Sequence, residues 1–360
     1  MEEMEGILFD ILNENKFDMI KKLGKGGFGL AYKVKKQNKY YAAKLIKVEK
    51  KEKDNEADII KEFRGQNIVK VNYVIEKNIA NNIYYVIIME EAPFKSLKSL
   101  ISDLRNNRLF DLIYNSPFEI IGDNLLKFFI SQLIQGLEIL NRNNFCHFDI
   151  KPDSILIFNK FYVKWADFGL LRDVNNIKSE NNMIQVPGGT VGYFPPEFYQ
   201  QSRKLYKEQA FKSDYFALGA TIYYIKYGKK MLNYFQNSDD LMTSNTILEQ
   251  IEKKIDEIKS DKSSDKEFTD FLCDLIQYKP TDRPDLKLLL GNKWLNKNKE
   301  EIEDIIEINF LDDKKLLIEI NKSDYLIKKK KYLENLFKKK PNMNKNQKNK
   351  FVFRKKEFNL

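Results

Sequence analysis

The first part of the chain alternates polar and apolar positions in the way that is typical of β-strands. The alternation runs through residues 17–48, where glycines interrupt it, and it predicts antiparallel strands joined by a tight turn. Two more strand-like runs follow at 67–77 and 82–90. The charged stretch 50–63 between these blocks predicts a helix. We therefore expect the N-terminal part to be rich in β-structure.

From about residue 96, apolar positions recur at a spacing of three and four residues, which predicts helices. Residues 125–144 are the clearest case, and they should form a long and mostly buried helix. The pattern stays helical beyond residue 205, apart from a polar loop at 260–267. A β-rich part followed by a helix-rich part predicts an α+β protein with two lobes.

The composition narrows the class of protein. With 42% hydrophobic and 13% aromatic residues, the 360-residue chain can build a substantial core. The chain has no run of eighteen apolar residues and it starts with acidic residues, so we expect neither a membrane span nor a secretory signal. Cys146 and Cys273 are the two cysteines, far apart in sequence. These features predict an intracellular protein, cytoplasmic or nuclear.

The positive charge is concentrated at the C-terminal end. The net charge is +10, but residues 322–360 alone carry fourteen Lys or Arg against three acids, which leaves the remainder close to neutral. Residues 299–360 are therefore interpreted as a basic, Lys/Asn-rich tail that is partly disordered. It could attract nucleic acid, anionic lipid or an acidic protein, or act as a nuclear localisation signal. A solvated extension without a fixed partner is an equally good interpretation.

A glycine-rich stretch near the start is the first candidate for chemistry. Gly24, Gly26 and Gly29 have the spacing G-x-G-x-x-G, in which the backbone can approach phosphate oxygens closely. The same spacing also occurs in dinucleotide-binding folds and in ordinary hairpins. Here the glycines lie between two strand-like runs and Lys44 follows twenty residues after Gly24, which favours phosphate binding over ribose binding.

Further motifs occur in a characteristic order along the chain. HFDIKPDS at 147–154 resembles the catalytic loop of the eukaryotic protein kinase family, and ADFG at 166–169 matches the family's D-F-G motif. GTVGYFPPE at 189–197 resembles the end of the activation segment, the stretch between the D-F-G motif and Glu197. SDYFALG at 213–219 extends the match, and Arg283 in PTDRP occupies the site that usually pairs with Glu197 in this family.

The resemblance covers about residues 17–298. It implies a bilobal protein kinase-like fold with a β-rich N-lobe over 17–91 and a mostly helical C-lobe over 92–298. Residues 1–16 would then be an N-terminal extension.

The resemblance also implies catalytic roles for charged residues. Asp149 would orient the substrate hydroxyl for in-line attack, and Lys151 would neutralise charge on the transferred phosphoryl group. Asp167 would bind Mg²⁺, a cation that prefers carboxylate and phosphate oxygens. Lys44 would pair with the phosphates of ATP, held by a glutamate that we expect to be Glu56, with Glu62 as the alternative.

An adenine pocket is implied between the two lobes. Its lining would include Ala42, Met89 as gatekeeper, the hinge from Glu90 to Ala92, and Leu156, beside the glycines at 24, 26 and 29. The implied cofactors are ATP and Mg²⁺.

The resemblance points to a protein substrate. Lys151 and Thr190 imply that the chain acts on Ser or Thr rather than on Tyr. His147, the single histidine, would be a packed and hydrogen-bonded scaffold residue rather than a general base.

Three positions depart from the family pattern. Phe148 replaces the arginine that normally reads a phosphorylated activation segment, so we predict little or no activation by a phosphate on Ser179. Ala31 replaces a valine over the adenine. Ser154 replaces the asparagine that helps to hold a second Mg²⁺, and a hydroxyl is a poorer metal ligand than an amide carbonyl.

Three functions are consistent with the sequence. The first is an active Ser/Thr protein kinase, and the second is a pseudokinase scaffold weakened by Ser154. The third is a nucleic-acid-binding or membrane-binding protein, in which the basic tail makes the contacts and the kinase-like body takes no part.

Overall fold

The computed structural model describes most of the chain up to residue 297. Glu56, Glu62, nearly all of the predicted helix at 50–63 and the whole tail at 299–360 lie outside the described residues. The described residues are 2–26, 29–49, 63, 65–106, 123–175, 179–180, 182–199, 204–232, 244–262 and 264–297.

The N-lobe is built on a five-stranded antiparallel sheet with the strand order β1-β2-β3-β5-β4. This sheet confirms the strands predicted from the alternation, and a hairpin links each of the pairs β1–β2, β2–β3 and β4–β5. The strands are β1 Asp18–Gly26, β2 Gly29–Lys36, β3 Lys39–Glu49, β4 Val71–Ile79 and β5 Asn82–Glu90.

One face of this sheet packs against an N-terminal helix, α1 Glu2–Glu14. Leu8, Ile11 and Leu12 of this helix are fully or almost fully buried in a cluster that includes Ala43 and Leu45 of β3. The three residues share a helix face because they are spaced three and four apart. The sequence predicts only an extension at 1–16, whereas the structure makes this segment part of the N-lobe core.

The C-lobe is mostly helical and its centre is the long helix predicted at 125–144, which the structure confirms as Asp123–Arg142. Its neighbour at Ala210–Tyr227 is buried along nearly its whole length. None of the helices in the described ranges is long and apolar enough to cross a membrane. In chain order the helices are α2 Leu97–Asn106, α3 Asp123–Arg142, α4 Ala210–Tyr227, α5 Ser244–Lys259, α6 Lys266–Leu275, α7 Leu286–Leu290 and α8 Lys293–Asn296.

Short strands in the C-lobe hold the loops that carry the predicted motifs. The pair β7–β8 frames the segment between the catalytic loop and the D-F-G motif, and β6 pairs with β9. A third small sheet has the order β10-β11-β12. The strands are β6 Phe145–Cys146, β7 Ile155–Ile157, β8 Val163–Trp165, β9 Arg172–Asp173, β10 Ser179–Glu180, β11 Met183–Gln185 and β12 Lys204–Tyr206.

Candidate active site

His147 anchors the catalytic loop, residues 147–154, from inside the C-lobe. Its ring is fully buried, Nε2 lies 3.1 Å from the carbonyl oxygen of Ala166, and Nδ1 accepts a 3.3 Å hydrogen bond from the Asp149 N–H. Burial lowers the pKa of His147, because the charged imidazolium loses its hydration. A neutral ring that donates from Nε2 satisfies both contacts, so His147 is packed and hydrogen-bonded as the sequence predicts.

Asp214, on α4, fixes the backbone of the same loop. One carboxylate oxygen accepts a 2.7 Å hydrogen bond from the His147 N–H, and the other accepts a 2.9 Å bond from the Phe148 N–H. The Phe148 backbone is left-handed, with a φ of 59°. Burial raises the pKa of Asp214 to about 7. Asp214 lies within SDYFALG, so the motif marks its position, but the hydrogen bonds that define its role are visible only in the structure.

Three side chains meet where the sequence places the catalytic pair. Lys151 Nζ contacts the Asp149 carboxylate directly and donates a 2.8 Å hydrogen bond to Thr190 Oγ1. The Thr190 hydroxyl in turn donates a 2.6 Å hydrogen bond to Asp149 Oδ1. Thr190, at the end of the activation segment, therefore places an aliphatic hydroxyl between a carboxylate and an ammonium group of the catalytic loop.

Ser154 stabilises the catalytic loop through hydrogen bonds to its backbone. Its side chain is fully buried, and Oγ donates a 2.9 Å hydrogen bond to the backbone carbonyl of Asp149. The Ser154 backbone N–H donates a 3.0 Å hydrogen bond to the Lys151 carbonyl oxygen. The Ser154 carbonyl oxygen accepts a 2.9 Å hydrogen bond from the Ala166 N–H. Because the hydroxyl hydrogen is committed to Asp149, the oxygen can offer lone pairs alone to a metal ion.

Lys44 of β3 reaches across from the N-lobe to Asp167. The Lys44 ammonium donates a 2.9 Å hydrogen bond to Asp167 Oδ1. Burial opposes ionisation of this carboxyl group, but Lys44 outweighs it and Lys151 adds to the effect, so the pKa of Asp167 lies below its ordinary value. Asp167 is therefore a carboxylate at neutral pH, the form that binds a hard cation.

The three glycines of the motif lie in the facing ends of β1 and β2. Gly26 pairs with Gly29 across the hairpin, and Gly29 has a φ of 147°. A Cβ added at Gly29 would lie 2.1 Å from the carbonyl oxygen of Leu45, whereas one at Gly24 would meet nothing within 4 Å. The third glycine is thus required by close packing of β2 on β3, and the first leaves open space.

Two of the residues predicted for the adenine pocket are neighbours in the N-lobe sheet, close to the junction of the lobes. Ala42 lies opposite Met89 in the β3–β5 register. The Glu90 carboxylate accepts 2.7 Å hydrogen bonds from the Lys70 N–H and from Lys164 Nζ.

The segment that follows Ala92 continues this junction into the C-lobe. It runs beside β7, where Leu156 forms an isolated bridge with Ser96. Ala42, Met89, Ala92 and Leu156 are all partly exposed, so the junction is accessible to solvent.

Phe148 points away from these polar groups and into an apolar cluster. The ring is 4% exposed and lies 6.1 Å from the Phe198 ring. We call this group the Phe148 cluster, and it joins the catalytic loop to the activation segment and to β12. Its buried members are Cys146, Phe148, Val174, Ile184, Val186, Phe198, Leu205 and Ala210.

The end of the activation segment is tied to the C-lobe by a buried ion pair. Both terminal nitrogens of Arg283 bind the Glu197 carboxylate, at 2.7 and 2.8 Å, and Ser213 adds a 3.0 Å hydrogen bond. The structure thus shows the Glu197–Arg283 pair that the motif pattern implies.

Comparison with known proteins agrees with this geometry. A sequence model of the family described as "Protein kinase domain" matches residues 17–295. The chain belongs to this family. The expected bilobal kinase fold and the proposed family membership are therefore confirmed.

Several curated kinases are similar to this one at low identity. The putative cysteine-rich receptor-like protein kinase 32 of Arabidopsis thaliana is 27% identical, over 80% of this chain and 45% of its own. The serine/threonine-protein kinase TOUSLED of the same plant is 25% identical, over 81% and 42%. The Aurora kinase of Saccharomyces cerevisiae is 27% identical, over 81% and 72%. The chain thus spans less than half the length of the two plant relatives.

Proposed function

We propose that this kinase-family member is an active serine/threonine protein kinase that uses ATP and Mg²⁺. The observation that carries the proposal is the Thr190 hydroxyl, which donates to Asp149 and accepts from Lys151. A serine or threonine of a protein substrate presents the same chemical group. Asp149 would accept the hydrogen bond of that hydroxyl and orient it for in-line attack, and Lys151 would neutralise the transferred phosphoryl group.

The nucleotide would lie between Lys44 and the predicted hinge. Lys44 would pair with its phosphates, the backbone at Gly24, Gly26 and Gly29 would cover them, and Ala42, Met89, Glu90, Ala92 and Leu156 would line the adenine pocket. The Asp167 carboxylate and the Ser154 oxygen fit a magnesium site because both are hard oxygen donors. Bound Mg²⁺ would supply positive charge against the phosphate oxygens. Glu56 remains the proposed partner of Lys44.

The alternative, a pseudokinase scaffold, rests on Ser154. Loss of one preorganised electrostatic contact typically costs roughly 10²–10³ in kcat. Set against the usual rate of about 1–100 s⁻¹ for protein kinases, this loss leaves slow but measurable turnover. The bond from Ser154 to the Asp149 carbonyl also supports activity, because the residue still orders the catalytic loop.

Transfer of a radiolabelled γ-phosphoryl group to a generic protein substrate tests the proposal. We expect slow transfer by the wild type, none by Asp149→Asn, and faster transfer by Ser154→Asn. Wild-type protein that transfers nothing while nucleotide still raises its Tm would favour the scaffold. Activity that persists in Asp149→Asn would identify a contaminating kinase.

Two further kinds of partner are proposed, protein substrates of the kinase domain and ligands of the basic tail. Protein substrates follow from family membership. An acidic protein, nucleic acid or anionic lipid would bind the basic tail in an intracellular compartment, cytoplasmic or nuclear. Binding through the tail should weaken steeply with salt and should be lost when residues 322–360 are deleted.

A further inference from the structure

Lys230 lies against the end of the activation segment. Helix α4 ends at Tyr227, and the following cap residue, Gly228, is left-handed with a φ of 67°. The chain then turns so that Lys230 Nζ donates a 3.3 Å hydrogen bond to the Val191 carbonyl. The ammonium group also lies 5.6 Å from the centre of the Tyr193 ring. A Cβ added at Gly192 would lie 3.0 Å from Lys230 Cδ, so this glycine makes room for the lysine stem.

This position is next to the catalytic residues. Thr190, which bonds both Asp149 and Lys151, directly precedes Val191, and the Val191 side chain is 52% exposed. Consecutive Cα atoms are about 3.8 Å apart. A substrate hydroxyl at Asp149 would therefore place the neighbouring residues of its peptide a few ångströms away, near Val191 and the lysine that bonds it.

Among the described residues, two other lysines at the catalytic loop are already paired with acids. Lys151 is paired with Asp149, and Lys98 is paired with Asp153 at 3.0 Å. Within the described residues, the Lys230 ammonium group contacts a neutral carbonyl and a neutral ring. Its exposed ammonium group is therefore available to a negative charge on an incoming peptide.

We propose that Lys230 is a specificity-determining residue that selects an acidic side chain next to the phosphoacceptor. The inference rests on the proposed kinase function. An ion pair of this exposed kind is worth a modest factor, so we expect peptides with Asp beside the acceptor Ser to be preferred about two- to fivefold over those with Asn. Matched peptides with Lys should be the poorest.

The test compares the Asp, Asn and Lys peptides as substrates of the wild type, Lys230→Gln and Lys230→Glu. Acidic residues are placed on either side of the acceptor in separate peptides. We expect Lys230→Gln to remove the preference and Lys230→Glu to reverse it, mainly through KM and more strongly at low salt. Lys229→Glu is the matched control, because the charge of Lys229 acts on Glu257 of α5 and the same charge change there should leave the preference intact.

Fluorescence anisotropy of the labelled peptides separates this inference from the proposed function. Charge-selective binding that depends on Lys230, in a protein that transfers no phosphate, would support the inference and contradict the kinase proposal. Phosphate transfer with equal efficiency for all three peptides would overturn the inference alone. A reversal by Lys229→Glu as large as that by Lys230→Glu would also overturn it, because a general surface potential would then explain the preference.

Discussion

Phe148 and Asp149 are adjacent in the chain, yet they belong to two different environments. On one side, Asp149 contacts Lys151 and Thr190 through short, directional hydrogen bonds. On the other side, Phe148 is buried among apolar side chains of the activation segment and β12. The left-handed backbone at Phe148 sends the two side chains apart.

The difference separates two ways of holding a catalytic site. Hydrogen bonds fix Asp149 in direction, and each depends on one donor and one acceptor. The Phe148 cluster instead depends on buried apolar volume, which has no direction and contains no group that a phosphate could switch. Changes of volume should therefore damage the cluster, whereas changes of single polar atoms should damage the chemistry.

Removing the Phe148 ring should have the largest effect on stability. Phe148→Ala leaves a cavity between the catalytic loop and the activation segment, so we expect the free energy of unfolding in urea to fall by about 3–5 kcal/mol. Tyr206→Ala on β12 is the control, because Tyr206 is 47% exposed and its loss should cost far less. Equal losses in the two variants would mean that the cluster does not hold the segment.

The free energy of unfolding should depend on pH through Asp214, whose carboxylate binds the backbone N–H groups of the catalytic loop. Burial raises its pKa from 3.8 to about 7, so between these values the folded protein retains a proton that the unfolded chain has released. The contribution of Asp214 is thus fully present below its ordinary pKa and declines as the pH rises towards 7, by at most about 1.4 kcal/mol per pH unit.

Asp214→Asn cannot titrate, so it provides the reference for this measurement. Urea unfolding of both proteins between the ordinary pKa and neutrality should show the wild type losing stability relative to the variant as the pH rises. A constant difference across this range would mean that the two backbone N–H donors keep the carboxylate ionised throughout.

Removing the Ser154 hydroxyl should have a smaller but still measurable effect. Ser154→Ala leaves the Asp149 carbonyl without this donor in a buried site, so we expect a loss of about 1–3 kcal/mol together with slower phosphoryl transfer. Ser260→Ala is a matched control, since Ser260 makes the same kind of 2.9 Å bond to a backbone carbonyl at an exposed position. Similar losses at the two sites would argue against a bracing role for Ser154.

Motifs and periodicity predict the secondary structure and the order of the catalytic motifs better than they predict contacts between distant side chains. The strands, the long α3 helix and the order of the catalytic motifs follow from residue spacing, because each depends on patterns within one segment. Helix α1 does not follow from the local pattern, since its three buried residues become meaningful only when the apolar outer face of the sheet is known. The contact of Lys230 with Val191 joins positions thirty-nine residues apart, and no local pattern encodes it.

Phosphorylation of the activation segment should have the smallest effect of all. Ser179 lies in β10, whose partner β11 contributes Ile184 to the Phe148 cluster, so the segment is already ordered by apolar contacts. Phe148 also supplies no positive charge for a phosphate. We expect Ser179→Glu and Ser179→Ala to transfer phosphate within about twofold of the wild type, because a charge without a cationic partner changes the energy of the segment little. A large rate gain in Ser179→Glu, or on phosphorylation of Ser179 by another kinase, would contradict this prediction. It would show that a cationic side chain elsewhere binds the negative charge at this position and that the Phe148 cluster alone does not order the segment.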